Sequence, residues 1–249
     1  MFLTGNTVLV TGGGTGIGRG LAEALHARGN TVIIAGRREA MLAETVAANP
    51  GMQSVRLDVA DSANIKSVAA RLIADFPDLN VLINSAGAAL RDDAAGEIDD
   101  KIMTDIITTN VYGPIRMASA LVEHFKRQPR AALVHVTSGL GYLPFASMAV
   151  YSASKAALHS YVLSQRYRLR DTSVAVIEIA PPLVATALAG DVASSRAMPL
   201  DAFIAETMAE LERGGDEALV ASARTRRDAL LNHELEAMNQ FNDMLSGEG

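Results

Sequence analysis

Tyr151 and Lys155 stand four residues apart in the stretch VYSASKAA. Positions i and i+4 share a helix face. A free phenol titrates near ~10 and an amine near ~10.4, and a cation beside a phenol favours the phenolate. The spacing therefore predicts a Lys155 that lowers the pKa of Tyr151 and also reaches the ribose hydroxyls of a cofactor, with Tyr151 and Lys155 both in contact with that cofactor. The phenol then exchanges a proton with a carbonyl or alcohol oxygen near neutral pH. Ser138, in VTSGLG, ends a strand-like run ahead of that helix and offers a hydroxyl to the same oxygen. Asn110, in IITTNVYG, offers an amide that holds a water or a backbone carbonyl behind the lysine. Each pair alone is ordinary helix-face decoration; their order along the chain gives them weight.

A second constellation precedes them. The run TGGGTGIG follows the apolar stretch TVLV and leads into a helical pattern. Glycines in a strand-to-helix turn let backbone approach an anion, and the helix start supplies unpaired N–H groups. That context predicts a dinucleotide pyrophosphate on Gly12, Gly14, Thr15, Gly16, Ile17 and Gly18. The next strand ends Ala35-Gly36-Arg37-Arg38, with no carboxylate for a free ribose 2′-hydroxyl. A guanidinium suits a 2′-phosphate. The expected cofactor is therefore NADP rather than NAD, with Arg37 as the phosphate ligand and Arg38 as the start of a surface helix.

These residues need a scaffold that sends them to one edge. Short apolar runs predict strands at 7–11, 31–35, 55–57, 80–83, 132–136 and 174–179. Helical patterns fall between them, at 19–28, 39–48, 61–76 with Asp61 as cap, 99–109, 113–127 and from near 152 to 169. Continuously apolar strands read as covered on both faces. Right-handed crossovers then give an α/β, doubly wound parallel sheet, with ligands beyond the strand C-termini. Residues 188–199 read as a lid or as a loop with a short helix. A helix over 201–213, an edge strand over 217–221 and a polar helix over 226–245 complete the chain, the last with an apolar stripe for core packing or, as the alternative, for a subunit contact. One domain over 1–249 is the simplest organisation, with 187–249 as lid and atypical C-terminal segment.

The chain has 249 residues, 49% hydrophobic, with formal net charge -6 and no cysteine. Disulfides and thiolate catalysis are excluded. An acidic balance argues against nucleic acid, and no apolar run approaches membrane-spanning length. With no leader pattern at its start, the expectation is a cytoplasmic protein without nucleic-acid or membrane partners. The histidines lack metal-ligand spacing, so no metal is expected. His135 reads as a satisfied core residue, and His159 as facing a neighbour of its helix. Asp92, Asp93, Asp99 and Asp100 read as loop and cap acids. Leu90, Leu140, Leu143 and Met148 are candidates for an apolar substrate cleft.

Taken together, these motifs resemble the classical short-chain dehydrogenase/reductase family over residues 5–186. Gly12, Gly16 and Gly18 stand at the family's glycine positions, and Asp58-Val59 at the pair that meets adenine. Residues 84–87, NSAG, match its NNAG; from this segment Asn84, Ala86 and Gly87 are expected at the cofactor. Asn110, Ser138, Tyr151 and Lys155 match its catalytic tetrad. The resemblance implies a Rossmann-type fold with helices on both faces and hydride transfer between nicotinamide and a small-molecule carbonyl or alcohol. It also implies Tyr151 as acid/base, Ser138 orienting substrate, Lys155 and Asn110 in a proton relay, and a homodimer or homotetramer. Thr186 is expected at the carboxamide. Pro181-Pro182 replaces the usual Pro-Gly. The tail is similar to the subgroup containing a reductase-like protein encoded beside lipoteichoic-acid D-alanylation genes. A non-catalytic NADP-binding regulator, or an epimerase or isomerase on the same fold, is the alternative.

Overall fold

The computed structural model describes residues 2–189 and 197–228. Its strands are β1 (Thr7–Thr11), β2 (Thr31–Gly36), β3 (Gln53–Arg56), β4 (Leu79–Asn84), β5 (Ala131–Val136), β6 (Val174–Ile179) and β7 (Glu217–Ala218). They form a sheet in the order β3-β2-β1-β4-β5-β6-β7, with every neighbouring pair parallel. Strand order reverses between β1 and β4. In sheets of this kind ligands bind beyond the carboxyl ends of the strands at that point of reversal.

The helices are α1 (Gly16–His26), α2 (Glu39–Ala48), α3 (Ser62–Asp75), α4 (Asp100–Ile107), α5 (Gly113–Phe125), α6 (Ala149–Leu169), α7 (Leu200–Arg213) and α8 (Ala221–Asp228). Alternate strand residues feed two cores, because successive side chains point to opposite faces. Val8, Val10, Val32 and Ile34 pack with Leu21 and Leu25 of α1 and Phe203 and Leu211 of α7. Leu9, Ile33, Leu82 and Leu133 pack with Ile65 of α3, Leu121 and Phe125 of α5, and Leu158 and Val162 of α6. Both faces are therefore covered, as continuously apolar strands require. No helix among the described residues is long and apolar enough to cross a membrane.

Most expected boundaries hold within a few residues, and the departures have local causes. α1 starts at Gly16, inside the glycine turn, so the helix N-terminus lies where the anion was expected. The segments expected as separate helices over 99–109 and 113–127 are continuous: a π-helical turn over Thr108–Tyr112 joins α4 to α5 and contains Asn110. The last strand is two residues long. The chain expected to continue it to 221 turns into α8, whose first N–H, that of Ala221, is taken by Glu206 Oε1 at 2.6 Å. The expected helix over 226–245 thus begins five residues early, at Ala221, and its part beyond 228 lies outside the described residues. The segment 188–199 is described only at its ends. A short 3-10 turn covers Ala187–Ala189, and Val184 bridges Met198.

Asp61 caps α3 as expected, its Oδ1 accepting from Ala63 N at 2.8 Å and Asn64 N at 3.1 Å. Asp61→Ala is expected to cost about 1 kcal/mol of stability, read as a lower urea midpoint with an unchanged slope.

Candidate active site

α6 starts without help from its own sequence: the Met148 side chain makes no cap. Asp92, from the loop after β4, takes that role across the chain. Its Oδ1 accepts from Ala149 N at 2.8 Å and its Oδ2 from Val150 N at 2.9 Å. A carboxylate there satisfies two orphan N–H groups and complements the positive end of the helix. Ser152 ties in the preceding loop, accepting from Phe145 N at 3.2 Å and donating to Met148 O at 2.8 Å. The next side chains on this anchored turn are Tyr151 and Lys155, both buried.

Ser138 follows β5, and its hydroxyl acts to hold the Tyr151 phenol down against the effect of burial. Its Oγ also accepts from Leu140 N at 3.1 Å, which fixes the serine at the start of a tight turn. Lys155 Nζ lies 5.8 Å from the Tyr151 ring centroid and donates to Val136 O at 2.9 Å. These distances correct one expectation. Burial pushes the Tyr151 phenol above its ordinary value, and the force acting against that is the Ser138 hydrogen bond, not Lys155. The ammonium is turned to the carbonyl at the end of β5. Burial draws Lys155 itself down to about 8, with Glu178 opposing.

Asn110 realises the backbone alternative of the two expected for it. Its Nδ2 donates to Ala88 O and its Oδ1 accepts from Ala88 N, both at 2.8 Å. Nδ2 also donates to Ser154 Oγ at 3.0 Å, and that hydroxyl donates to Tyr151 O at 2.7 Å. The π turn thus pins the segment after β4 to the catalytic helix. A π bulge at a functional site is a common device for such re-aiming.

On the nucleotide side, Gly12 has φ +69, and a Cβ there would lie 2.9 Å from the Ala86 backbone. A Cβ on Gly18 would lie 2.4 Å from Gly12 O. The turn is folded against NSAG and against its own helix start, leaving the first N–H groups of α1 without a side-chain cap. A small anion-accepting cradle at an uncapped helix N-terminus fits a dinucleotide pyrophosphate. Thr186 lies beside Gly16. Asp58 and Val59 follow β3; Asp58 Oδ1 accepts from Ala60 N at 2.9 Å, and Val59 packs against Gly113. Gly87 leaves space next to Asn110 Oδ1 and Lys155 Nζ. Asn84 differs from the rest. Its side chain turns inward, donating to Pro114 O at 3.3 Å and meeting His135 Nδ1 at 3.4 Å, so it supports the NSAG turn from behind.

Four residues here escaped the sequence reading or were given smaller parts. Thr11 Oγ1 accepts from Ser85 N at 3.1 Å and Ala86 N at 3.2 Å, clamping NSAG to β1. Arg38, read as surface, reaches back to Thr15 Oγ1 at 3.1 Å and so stands at the edge of the cradle. Arg37 is exposed. Asp92 was visible as an acid but not as the cap of α6. Glu178 was visible as an acid inside an apolar strand, and His159 Nδ1 meets it at 2.8 Å. His135 is the core residue expected, bonded to Gln165 Oε1 at 2.9 Å.

A parallel sheet of this order, with a glycine turn after its first strand and a Tyr–Lys pair beyond its fifth, defines a dinucleotide-dependent dehydrogenase. A family model for short chain dehydrogenase matches residues 6–197. The chain is 44% identical over 189 residues to the uncharacterized oxidoreductase DltE of Bacillus subtilis, covering 76% of this chain and 75% of that one. It is 32% identical over 190 residues to the NADP-dependent 3-hydroxy acid dehydrogenase of Schizosaccharomyces pombe, covering 74% and 73%. A short chain dehydrogenase from Burkholderia cenocepacia, solved in complex with NADP, matches at TM-score 0.83 and 27% identity over 96% of this chain and 98% of that one. The chain belongs to the short-chain dehydrogenase family. It is an oxidoreductase that moves hydride between a nicotinamide cofactor and a carbonyl or alcohol carbon.

Gly18→Ala is expected to abolish the rise in melting temperature that a dinucleotide gives the parent protein, because the new Cβ must displace backbone. A second expectation concerns pH. Burial holds His135 down to about 4, whereas the unfolded chain takes up that proton near ~6.5. Stability from this group is present above ~6.5 and is lost as pH falls through that value towards about 4. Urea unfolding at pH 7 and pH 5 should therefore show a smaller acid-induced loss in His135→Gln than in the parent.

Proposed function

We propose that the chain is an NADP(H)-dependent carbonyl reductase and alcohol dehydrogenase acting on neutral, largely apolar ketones or aldehydes. Tyr151 serves as general acid/base. The observation that carries this reading is that Ser138 after β5 and the buried Tyr151 and Lys155 of α6, with Lys155 Nζ 5.8 Å from the phenol ring, stand at the same sheet edge as the glycine cradle. Bound nicotinamide supplies or accepts the hydride. The protein's part is to place the carbonyl carbon and manage the proton. Ser138 donates to the substrate oxygen and holds it at the phenol. Tyr151 gives its proton as negative charge builds on that oxygen, Ser138 steadies the phenolate left behind, and Lys155 holds its charge against the strand-end carbonyl one turn away. Asn110 keeps the segment after β4 against α6, so the ammonium and the phenol stay in register. Gly12, Gly14, Thr15, Gly16, Ile17 and Gly18 would hold the pyrophosphate. Asp58, Val59, Ala86, Gly87 and Thr186 would line the rest of the cofactor.

The choice of NADP rests on two arginines rather than one. Arg37 and Arg38 both leave β2, and Arg38 is already anchored at Thr15. The relatives described as NADP-dependent or NADP-bound agree with this choice. The choice of substrate rests on the loop walls. Residues 137–148 and 180–189 contain no charged residue and no histidine, and Leu143, Phe145, Leu183 and Leu188 are exposed there. A substrate carboxylate wants a cation, as an acid-processing relative would require. These two segments offer none. The same reading takes the chain as one dinucleotide-binding and catalytic domain, acting in the cytoplasm as a homodimer or homotetramer.

Loss of absorbance at 340 nm tests this. NADPH should be consumed faster than NADH, and neutral aryl or alkyl ketones should be better substrates than keto acids. Tyr151→Phe is expected to lower turnover by roughly 10²-fold or more while the NADPH-induced rise in melting temperature persists. Arg37→Glu with Arg38→Glu should weaken NADPH at least about tenfold and leave NADH little changed. Full turnover in Tyr151→Phe would overturn the assignment of the acid.

A further inference from the structure

Glu178 interrupts the apolar strand VAVIEI and is 0% exposed. Thr137 donates its hydroxyl to Glu178 Oε1 at 2.6 Å, and Thr137 immediately precedes Ser138. His159 Nδ1 meets Glu178 Oε2 at 2.8 Å and Oε1 at 3.1 Å, and His159 lies one helical turn beyond Lys155. The Tyr142 ring, just past the Ser138 turn, stands edge-on to His159 with centroids 4.9 Å apart. One buried carboxylate thus links the segment that carries the substrate-orienting hydroxyl to the helix that carries the ammonium.

We propose that Glu178 is a positioning residue for the reaction: it fixes the Ser138 strand end against α6 and acts as counter-charge to the Lys155 ammonium. This rests on the roles of Ser138 and Lys155 proposed above. Burial alone would raise the Glu178 carboxyl. The His159 hydrogen bond and charge, the Thr137 hydroxyl and Arg166 outweigh it and hold the group below its ordinary value, so it is ionised at neutral pH. Geometry places the two charges close together: Lys155 Nζ bonds the carbonyl of Val136, Val136 follows His135, and His135 is the lateral neighbour of Glu178 in the sheet, while His159, one turn along α6 from Lys155, touches Glu178 itself. Burial draws Lys155 down to about 8, and Glu178 acts against that fall. The other groups near Lys155 supply no negative charge. α6 brings the neutral Tyr151 phenol, β5 brings the Val136 carbonyl and a neutral His135, and the turn after β4 brings Gly87 with Asn110 behind it. Further out, α6 also brings His159 and Arg166, the Ser138 turn brings Tyr142, β7 brings Glu217, and α8 brings Arg227, which is paired with Glu217 at 2.8 Å. A lysine that must stay charged inside a low-dielectric site gains most from an opposite charge that is itself held rigidly.

Lys155 is one of four lysines in the chain, so 13C labelling at lysine Cε gives few signals, and Lys155→Arg assigns the relevant one. The titration is read without substrate or cofactor, and its result therefore stands whether or not any carbonyl is turned over. In the parent, Lys155 is expected to titrate near about 8. In Glu178→Gln it should titrate at least about one unit lower, a tenfold smaller ammonium fraction above the midpoint. Glu178→Asp, which keeps the charge, should restore the parent value to within a few tenths. With NADPH and a ketone, the alkaline fall in kcat should move to lower pH in Glu178→Gln and stay in place in Glu178→Asp. An unchanged Lys155 titration in folded Glu178→Gln, or a Glu178→Asp that titrates like Glu178→Gln, overturns the counter-charge. Thr137→Val tests the positioning half and does not depend on Glu178→Gln folding. It should lower kcat about fivefold with the Lys155 titration unmoved, and an unchanged kcat overturns that half.

Discussion

A row of polar side chains crosses the carboxyl end of the sheet, and the site is built on it. Thr11, Asn84, His135, Glu178 and Glu217 are lateral neighbours in register through β1, β4, β5, β6 and β7. Below this row the strands are apolar on both faces; beyond it the chain turns into the loops that carry the chemistry. A buried polar group left unpaired costs about 1–3 kcal/mol, so each member of the row must find a partner. Each partner belongs to a different functional segment. Thr11 holds NSAG, Asn84 meets the start of α5, His135 meets Gln165 of α6, Glu178 meets Thr137 and His159, and Glu217 meets Arg227 of α8. Satisfying the row therefore fixes where the glycine turn, the π turn, the catalytic helix and the final helix sit relative to one another.

The charges of the site sit inside this frame rather than on its surface. Lys155 and Glu178 are both enclosed. Burying a charge is costly unless it is paired and hydrogen-bonded. Here the lysine donates a hydrogen bond to a strand-end carbonyl and the glutamate is gripped from two sides. The phenol is kept neutral by its surroundings. A proton donor that holds its proton until charge develops nearby suits the acid role proposed for Tyr151.

Much of this was legible in the amino-acid order, and the reasons are local. Strands such as TVLVT and VAVIEI are apolar runs bounded by turn residues, and Asp61 announces α3 because a cap acts within its own first turn. The Tyr151–Lys155 pair and the glycine turn were readable for the same reason: their spacing encodes one helix face or one tight turn. The parts that escaped are contacts between segments distant in sequence. Asp92 caps a helix that begins 57 positions later. Arg38 reaches Thr15 across two strands. The Glu178–His159 pair spans 19 positions and depends on which face of α6 meets β6. The two-residue β7 and the early start of α8 are decided by Glu206 on α7, which no pattern within 217–228 contains. The effect of Lys155 on Tyr151 was misjudged because spacing fixes a shared face but not where the ammonium turns.

The Asp92 cap has a mechanical side. The same residue accepts two N–H bonds at the head of α6 and donates its own N–H to Ser147 O at 3.1 Å, while its chain neighbours Leu90 and Arg91 face outward. This stretch of loop is therefore tied on both sides to the first turn of the helix bearing the phenol. Loop and helix are thereby fastened to each other through a single carboxylate.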